Sequence, residues 1–209
     1  MAREVSNVAP WAEIVPDAPY PMSIEEFDRW PEEPGWRYEL VWGRLVCMPW
    51  PGGRHGRIVH YISRLLGNFA EPCRLGIIFD GAQFNFPHPG RTEPLKVAPD
   101  VAFVAAGRGP EPDTPEDERA WELAPDLVVE VASRESNQYR PAMAEKAHDY
   151  LDCGVRLVWI VYPWWKEVDI WWQGEHGHES QTLKADEQID GRDMLPGFTR
   201  LVGDFFSQS

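Results

Sequence analysis

The sequence predicts an α/β protein of the α+β kind, with a mixed central β-sheet flanked by helices. Three observations lead there. The chain has 209 residues, 43% hydrophobic and 26% charged, which suits one domain of ordinary size. A strand–helix–strand succession over 126–162 demands one parallel crossover. The strands before it are joined by short turns, so that block is antiparallel. The domain is expected over 21–209, preceded by an extended arm over 1–20 and extended by a C-terminal β-hairpin.

Taken in order, the Pro-rich residues 1–20 carry no periodic pattern and read as an arm that could clasp a partner subunit. Ser23 opens a short helix, SIEEFDRW, with Glu26 completing a capping box. WRYELVWG and RLVCMPW form a hairpin turning at Gly43. In GRHGRIVHYISRLLGNFAEP, Ile58, Ile62, Leu65, Leu66 and Phe69 recur every three or four residues, an amphipathic helix. CRLGIIFD and AQFNFP read as a second pair of strands, and PDVAFVA as a further one. Residues 106–120 are a polar, acidic loop. DLVVEVA is a buried strand. Residues 141–152 form a helix closed by Gly154. VRLVWIVYP is a strand ended by Pro163. EVDIWW and HESQTLK make the final hairpin, and LPGFTRLVGDFF closes the domain.

Glu130 is the informative residue. It sits inside the apolar run Leu127–Ala132, on the same strand face as Val128 and Ala132. Apolar residues on both faces mark a central strand, so this carboxylate is expected to be buried. An unpaired buried charge costs several kcal/mol, and a cation must offset it. Asp100 poses the same question at the start of its own strand. On the 141–152 helix, Met143, Ala147, Tyr150 and Leu151 form the core stripe. Lys146 lies on its flank, from where a long side chain reaches the sheet, while Glu145 and Asp149 turn toward water. Two strand carboxylates and a lysine suit Mg2+ or Mn2+, whose preferred ligands are carboxylate oxygens. They equally suit a structural ion pair, and the residues alone leave both open.

In order along the chain, MSIEEFDRW, RYELVWGRLVCMP, His55 at a helix start, Pro99-Asp100-Val101, PDLVVEVAS, EKAHDYLDCGVRLVWIVYP and LPGFTRLVGDFF resemble the Uma family of restriction endonucleases, within the PD-(D/E)xK nuclease superfamily. The resemblance runs from about residue 22 to the C-terminus. It implies a restriction-endonuclease-like core and a nuclease that acts on nucleic acid, DNA in the first instance. It also implies Asp100 and Glu130 as metal ligands for Mg2+ or Mn2+, Lys146 as the catalytic lysine, Glu39 as an accessory acid of the catalytic set and His55 as a weaker accessory. In most of the superfamily the lysine stands two residues after the glutamate. Ala132 holds that place here, so the resemblance implies that the role has moved to the helix. The chain departs from the family pattern at Arg134, where Pro is usual, and at Ala142, where Asp is usual.

Two other readings stand beside this one. The Ala142 departure and the net charge of −14, unfavourable for binding phosphates, suit a nuclease-fold module that binds or regulates without turnover. The eleven tryptophans suit a carbohydrate-binding module, which would line an open groove with Trp172 or Trp165 and make no use of Glu130. More simply, the pairs Trp164-Trp165 and Trp171-Trp172 would fill a core or a homodimer interface, and a homodimer is expected. Arg54, Arg57 and Arg64 could meet phosphates or be merely solvated. His60 reads as structural, His176 and His178 as exposed, and no histidine set matches a zinc site. No apolar run is long enough to cross a membrane. The N-terminal stretch lacks a signal-like apolar segment, and Cys47, Cys73 and Cys153 form no framework. The cysteines are expected to be small buried hydrophobes, and the protein is expected in the cytoplasm.

Overall fold

The computed structural model describes residues 12–110, 113–133 and 139–207. In chain order its elements are β1 (Glu13–Ile14), α1 (Ile24–Phe27), β2 (Trp36–Val41), β3 (Arg44–Pro49), α2 (Gly53–Ala70), β4 (Gly76–Asp80), β5 (Phe84–Phe86), β6 (Leu95–Val97), β7 (Val101–Ala105), β8 (Leu127–Val131), α3 (Tyr139–Asp152), β9 (Leu157–Tyr162), β10 (Glu167–Gly174), β11 (Gly177–Lys184), β12 (Gln188–Gly191) and β13 (Leu195–Leu201). A 3-10 turn over Val202–Phe206 follows.

The central sheet has six strands in the order β11-β10-β9-β8-β7-β4. Its one parallel pair is β8–β9, joined by α3, and every other neighbour is antiparallel. This is the mixed sheet with the crossover over 126–162 that the sequence predicts. One face, carrying Val101, Phe103, Val129 and Trp159, packs on Ile58, Ile62 and Leu66 of α2 and on Phe198 and Phe205 near the C-terminus. The other, carrying Ala102, Val128 and Ile160, packs on Met143, Ala147 and Tyr150 of α3. The 3.6-residue period of α2 thus converts into a buried stripe. Each fully buried Ile or Leu in it contributes ~1.5–3 kcal/mol.

The early strands do not simply continue that sheet. They form a second one, β1-β3-β2-β6-β5, whose Val41, Val46 and Val97 share the α3-side core. Part of the expected arm is therefore strand β1, paired with β3 through Glu13↔Cys47 and Ile14↔Val46, and residues 1–11 lie outside the described ones. The predicted hairpin of β2 and β3 turns through Trp42 and Gly43, at φ 51 and 71. Two left-handed residues in a two-residue turn match the right-handed twist of the flanking strands. α1 is capped as expected, with Glu26 N donating to Ser23 Oγ and Ser23 N donating to Glu26 Oε2.

Three expectations need correction, and two short strands go unread in the sequence. β4 and β5 are both strands but do not pair with each other: β4 borders β7 and β5 borders β6, in different sheets. Strands β6 and β12, three and four residues long, are too short to show a period of two. Of the cysteines only Cys153 is buried. Cys47 is half-buried and Cys73 exposed, because Cys73 falls in the turn after α2 rather than inside a strand. Strand alternation would send one tryptophan of each pair outward, but all four are half-buried. Trp165 and Trp171 pack on one core and Trp172 on the other, while Arg54 covers Trp164.

Candidate active site

Strand pairing builds the floor of the site. Val101 of β7 pairs antiparallel with Val129 of β8. One step further along that register sets Asp100 across from Glu130, and residues across an antiparallel pair share a face. The Val131 amide donates to Asp100 Oδ2 at 2.7 Å, fixing the first carboxylate against the neighbouring strand. Both acids are buried, as their apolar surroundings predict.

Helix α3 closes one side. Lys146 and Tyr150 stand four residues apart and therefore on one helix face. Both engage the same oxygen of Glu130: Lys146 Nζ at 2.9 Å and the Tyr150 hydroxyl, donating, at 2.6 Å. The second sheet supplies the roof. Glu39, in the middle of β2, is buried, accepts from the Ala98 amide at 3.4 Å through Oε1, and brings Oε2 to 3.8 Å from Lys146 Nζ. Two residues earlier on the same strand, Arg37 places an Nη 3.8 Å from Asp100 Oδ1. From the first turn of α2, His55 sets Nε2 3.1 Å from Asp100 Oδ1 and Nδ1 3.2 Å from Ser133 Oγ. Nε2 donates to the Asp100 carboxylate, while Nδ1 and the Ser133 hydroxyl share a hydrogen bond whose direction depends on the tautomer.

The electrostatics separate the two strand acids. Burial pushes the Asp100 carboxyl up. The hydrogen bond and charge of His55, the Val131 amide and Arg37 outweigh it and hold the group below its ordinary value. Burial also dominates at Glu130, where Lys146 opposes it but Asp100 and Glu39 add to it, so that carboxyl stands above its ordinary value. Burial pushes Lys146 down, yet Glu130 and Glu39 more than offset this and keep the ammonium protonated beyond the ordinary lysine range. Such an amine can orient groups and neutralise charge but is a poor base. Tyr150 is driven up by burial and then by Glu130, so its phenol remains a donor.

All five residues expected from the sequence, Asp100, Glu130, Lys146, Glu39 and His55, are thus brought to one buried place. Three further residues there, Arg37, Tyr150 and Ser133, escape the sequence reading. Two of them carry a spacing signal: Arg37 is two residues before Glu39 on a strand, and Tyr150 is four after Lys146 on a helix. Ala142 packs in the apolar core, and Arg134 lies outside the described residues. Asp149, expected in water, is instead half-buried. His178 is half-buried rather than exposed, set against His148 with their Nδ1 atoms 2.7 Å apart, while His60 is exposed and so has no core role. Of the helix arginines, Arg54 is engaged by the Pro163 carbonyl, Arg64 lies over Tyr61, and Arg57 remains exposed.

The donor set fits a hard divalent cation. Glu39 Oε2 is buried without a hydrogen-bond partner, and among the described residues three carboxylates face two fixed cations, Lys146 and Arg37. Among the described residues no three His, Cys, Asp or Glu side chains converge tightly enough to enclose an ion by themselves. Mg2+ does not require that, since one or two carboxylates with waters and substrate phosphate suffice. The carbohydrate reading fares worse. Trp172 does line a groove, with Gln173, Arg192 and Met194, but the Arg192 guanidinium covers its ring at 3.6 Å, and Arg140 stands over Trp165 at 4.9 Å.

A family model described as "Uma2: Putative restriction endonuclease" matches residues 24–203. Among solved structures, a "putative nuclease belonging to DUF820" from Anabaena variabilis matches with a TM-score of 0.74 at 20% identity, covering 90% of this chain and 98% of that one. That likeness shows the fold, the restriction-endonuclease-like α/β arrangement expected from the sequence. No curated protein matches the chain.

Proposed function

Because the chain belongs to the Uma2 family of restriction-endonuclease-type proteins, we propose that it is an endonuclease that hydrolyses phosphodiester bonds of DNA with Mg2+ or Mn2+. The observation that carries this reading is the buried convergence of Asp100 and Glu130, across one strand pair, with Lys146 2.9 Å from Glu130 and the Oε2 of Glu39 buried without a hydrogen-bond partner.

Asp100 and Glu130 would hold the ion, with Glu39 reaching it through water. A divalent ion in that place supplies charge stabilisation at the phosphoryl group and activates water for attack. Lys146, held as an ammonium, orients the attacking water and offsets charge that grows on the phosphate. His55 keeps Asp100 ionised and aimed, and Ser133 fixes the imidazole's orientation, the role that outer hydrogen bonds play around metal ligands. Tyr150 holds Glu130 through its buried hydroxyl, donating at 2.6 Å.

Cleavage of plasmid DNA in Mn2+ tests the reading. The unaltered protein should nick or linearise the plasmid, EDTA should stop it, and Asp100→Ala should lower the rate by a factor on the order of 100 or more. Cleavage that persists in Asp100→Ala, or in EDTA, would overturn it.

A second reading, a nuclease-fold module that binds DNA without turnover, is favoured by the core position of Ala142, where the family usually has an acid. It predicts DNA binding with no cleavage under any divalent ion. Homodimerisation belongs to the first reading. Its support is the border strand β4, which leaves Ile77 exposed at the rim of the six-stranded sheet, a place where chains pair readily. Sedimentation analysis tests it. No helix among the described residues is long and apolar enough to cross a membrane.

A further inference from the structure

The nuclease reading leaves Arg37 unexplained. Among the charged residues of the site it is the odd one: Asp100, Glu130, Lys146, Glu39 and His55 are all buried, whereas 21% of the Arg37 side chain is exposed. It is also not needed where it stands. Both oxygens of Asp100 already have closer partners, His55 at 3.1 Å and the Val131 amide at 2.7 Å. The guanidinium approaches Asp100 only to 3.8 Å, beyond hydrogen-bond range. Its Nε is buried and has no hydrogen-bond partner. Leaving such a donor unsatisfied costs about 1–3 kcal/mol, and a partly exposed side chain retained at that cost beside three buried acids is set for an anion.

We propose that Arg37 is the phosphate-binding residue of the site, its planar fork gripping a non-bridging oxygen pair of the DNA backbone beside Asp100. The inference rests on the nuclease reading and deepens it. Three carboxylates would otherwise repel a phosphodiester. A partly exposed cation beside Asp100 gives the phosphate one attractive contact on entry and sets it next to the carboxylates that would hold the ion. Planarity matters as much as charge, because a guanidinium offers two parallel donors and an ammonium does not. β-strand alternation explains the placement: Arg37 and Glu39 project to one face of β2, so the strand that delivers the accessory acid also delivers the anion-binding group.

The test measures equilibrium binding of a short duplex DNA by fluorescence anisotropy across a salt series, in Ca2+, with the recovered DNA checked for integrity. For Arg37→Gln the dissociation constant should rise about tenfold or more. The slope of log K against log salt should flatten by about 0.9, the signature of one lost phosphate contact; a residue that only buttresses Asp100 would leave that slope unchanged. Arg37→Lys keeps the charge, so it should keep the slope yet still bind several-fold more weakly, and it serves if the Gln variant does not fold as judged by circular dichroism. Unchanged affinity in the Lys variant, or an unchanged slope in a folded Gln variant, overturns the assignment while leaving the nuclease reading intact if the unaltered protein cuts DNA. No salt-dependent DNA binding by the unaltered protein overturns both.

Discussion

Lys146 Nζ stands 2.9 Å from Glu130 Oε1 with both side chains buried, and this pair decides how the interior tolerates an acid at all. Removing one member of a buried pair typically costs about 3–5 kcal/mol, because the other is left charged in a poorly solvating place. Lys146→Met should therefore destabilise the protein by roughly that amount in urea denaturation. The double variant Lys146→Met with Glu130→Gln should recover part of the loss. A Lys146→Met cost below about 1 kcal/mol would show that the ammonium and carboxylate are not a buried pair.

Ion binding should be visible as stability. A ligand that binds only the folded state at a hundred times its dissociation constant adds about 2.7 kcal/mol. Mn2+ should therefore raise the melting temperature of the unaltered protein and EDTA should reverse the rise. In Asp100→Asn the Mn2+-dependent increment should largely vanish, whatever the variant's own baseline. An equal increment in both proteins would place the ion elsewhere.

Much of this arrangement is legible in the sequence, and the physics says which part. Glu130 stands out because a strand with two apolar faces gives a carboxylate nowhere wet to go. α2 is readable because eighteen residues are enough to show a helical period. What remains hidden depends on contacts between distant segments. That β4 and β5 join different sheets is set by their partners β7 and β6, not by their own residues. Arg37 looks like an ordinary strand arginine until β2 is laid over β7, and Cys73 looks buried until its turn is seen to lie at the surface.

Asp149 gives a pH signature. Burial raises its carboxyl to about 6, against the smaller opposing effects of a Trp42 hydrogen bond and Arg91. A carboxyl whose folded value lies above its unfolded one binds its proton more tightly in the native state. Its contribution is thus most favourable at low pH and is lost as pH rises from about 4 through 6. At neutral pH the ionised group is a liability. Two units correspond to about 3 kcal/mol at most, and partial exposure reduces this. Asp149→Asn, which keeps an acceptor for Trp42, should raise the melting temperature at pH 7 and lose that advantage near pH 4. A difference between the two proteins that does not change with pH would contradict the burial argument.

The cysteines should separate by reactivity, since the thiolate is the reacting species and exposure governs access to it. Cys73 is exposed in the turn after α2, whereas Cys153 is buried and its thiol is pushed up to about 12 by burial and then by Asp149 and Asp152. Brief iodoacetamide treatment of the native protein at pH 8, read by peptide mass spectrometry, should modify Cys73 first. Cys153 should label only after denaturation, because at pH 8 its thiolate fraction is about one part in ten thousand, four units below its pKa. Asp149→Asn removes the larger of the two charge effects and should quicken Cys153 labelling in the native state slightly, leaving Cys73 unchanged. Native labelling of Cys153 as fast as Cys73 would mean that the end of α3 opens far more readily than its packing allows.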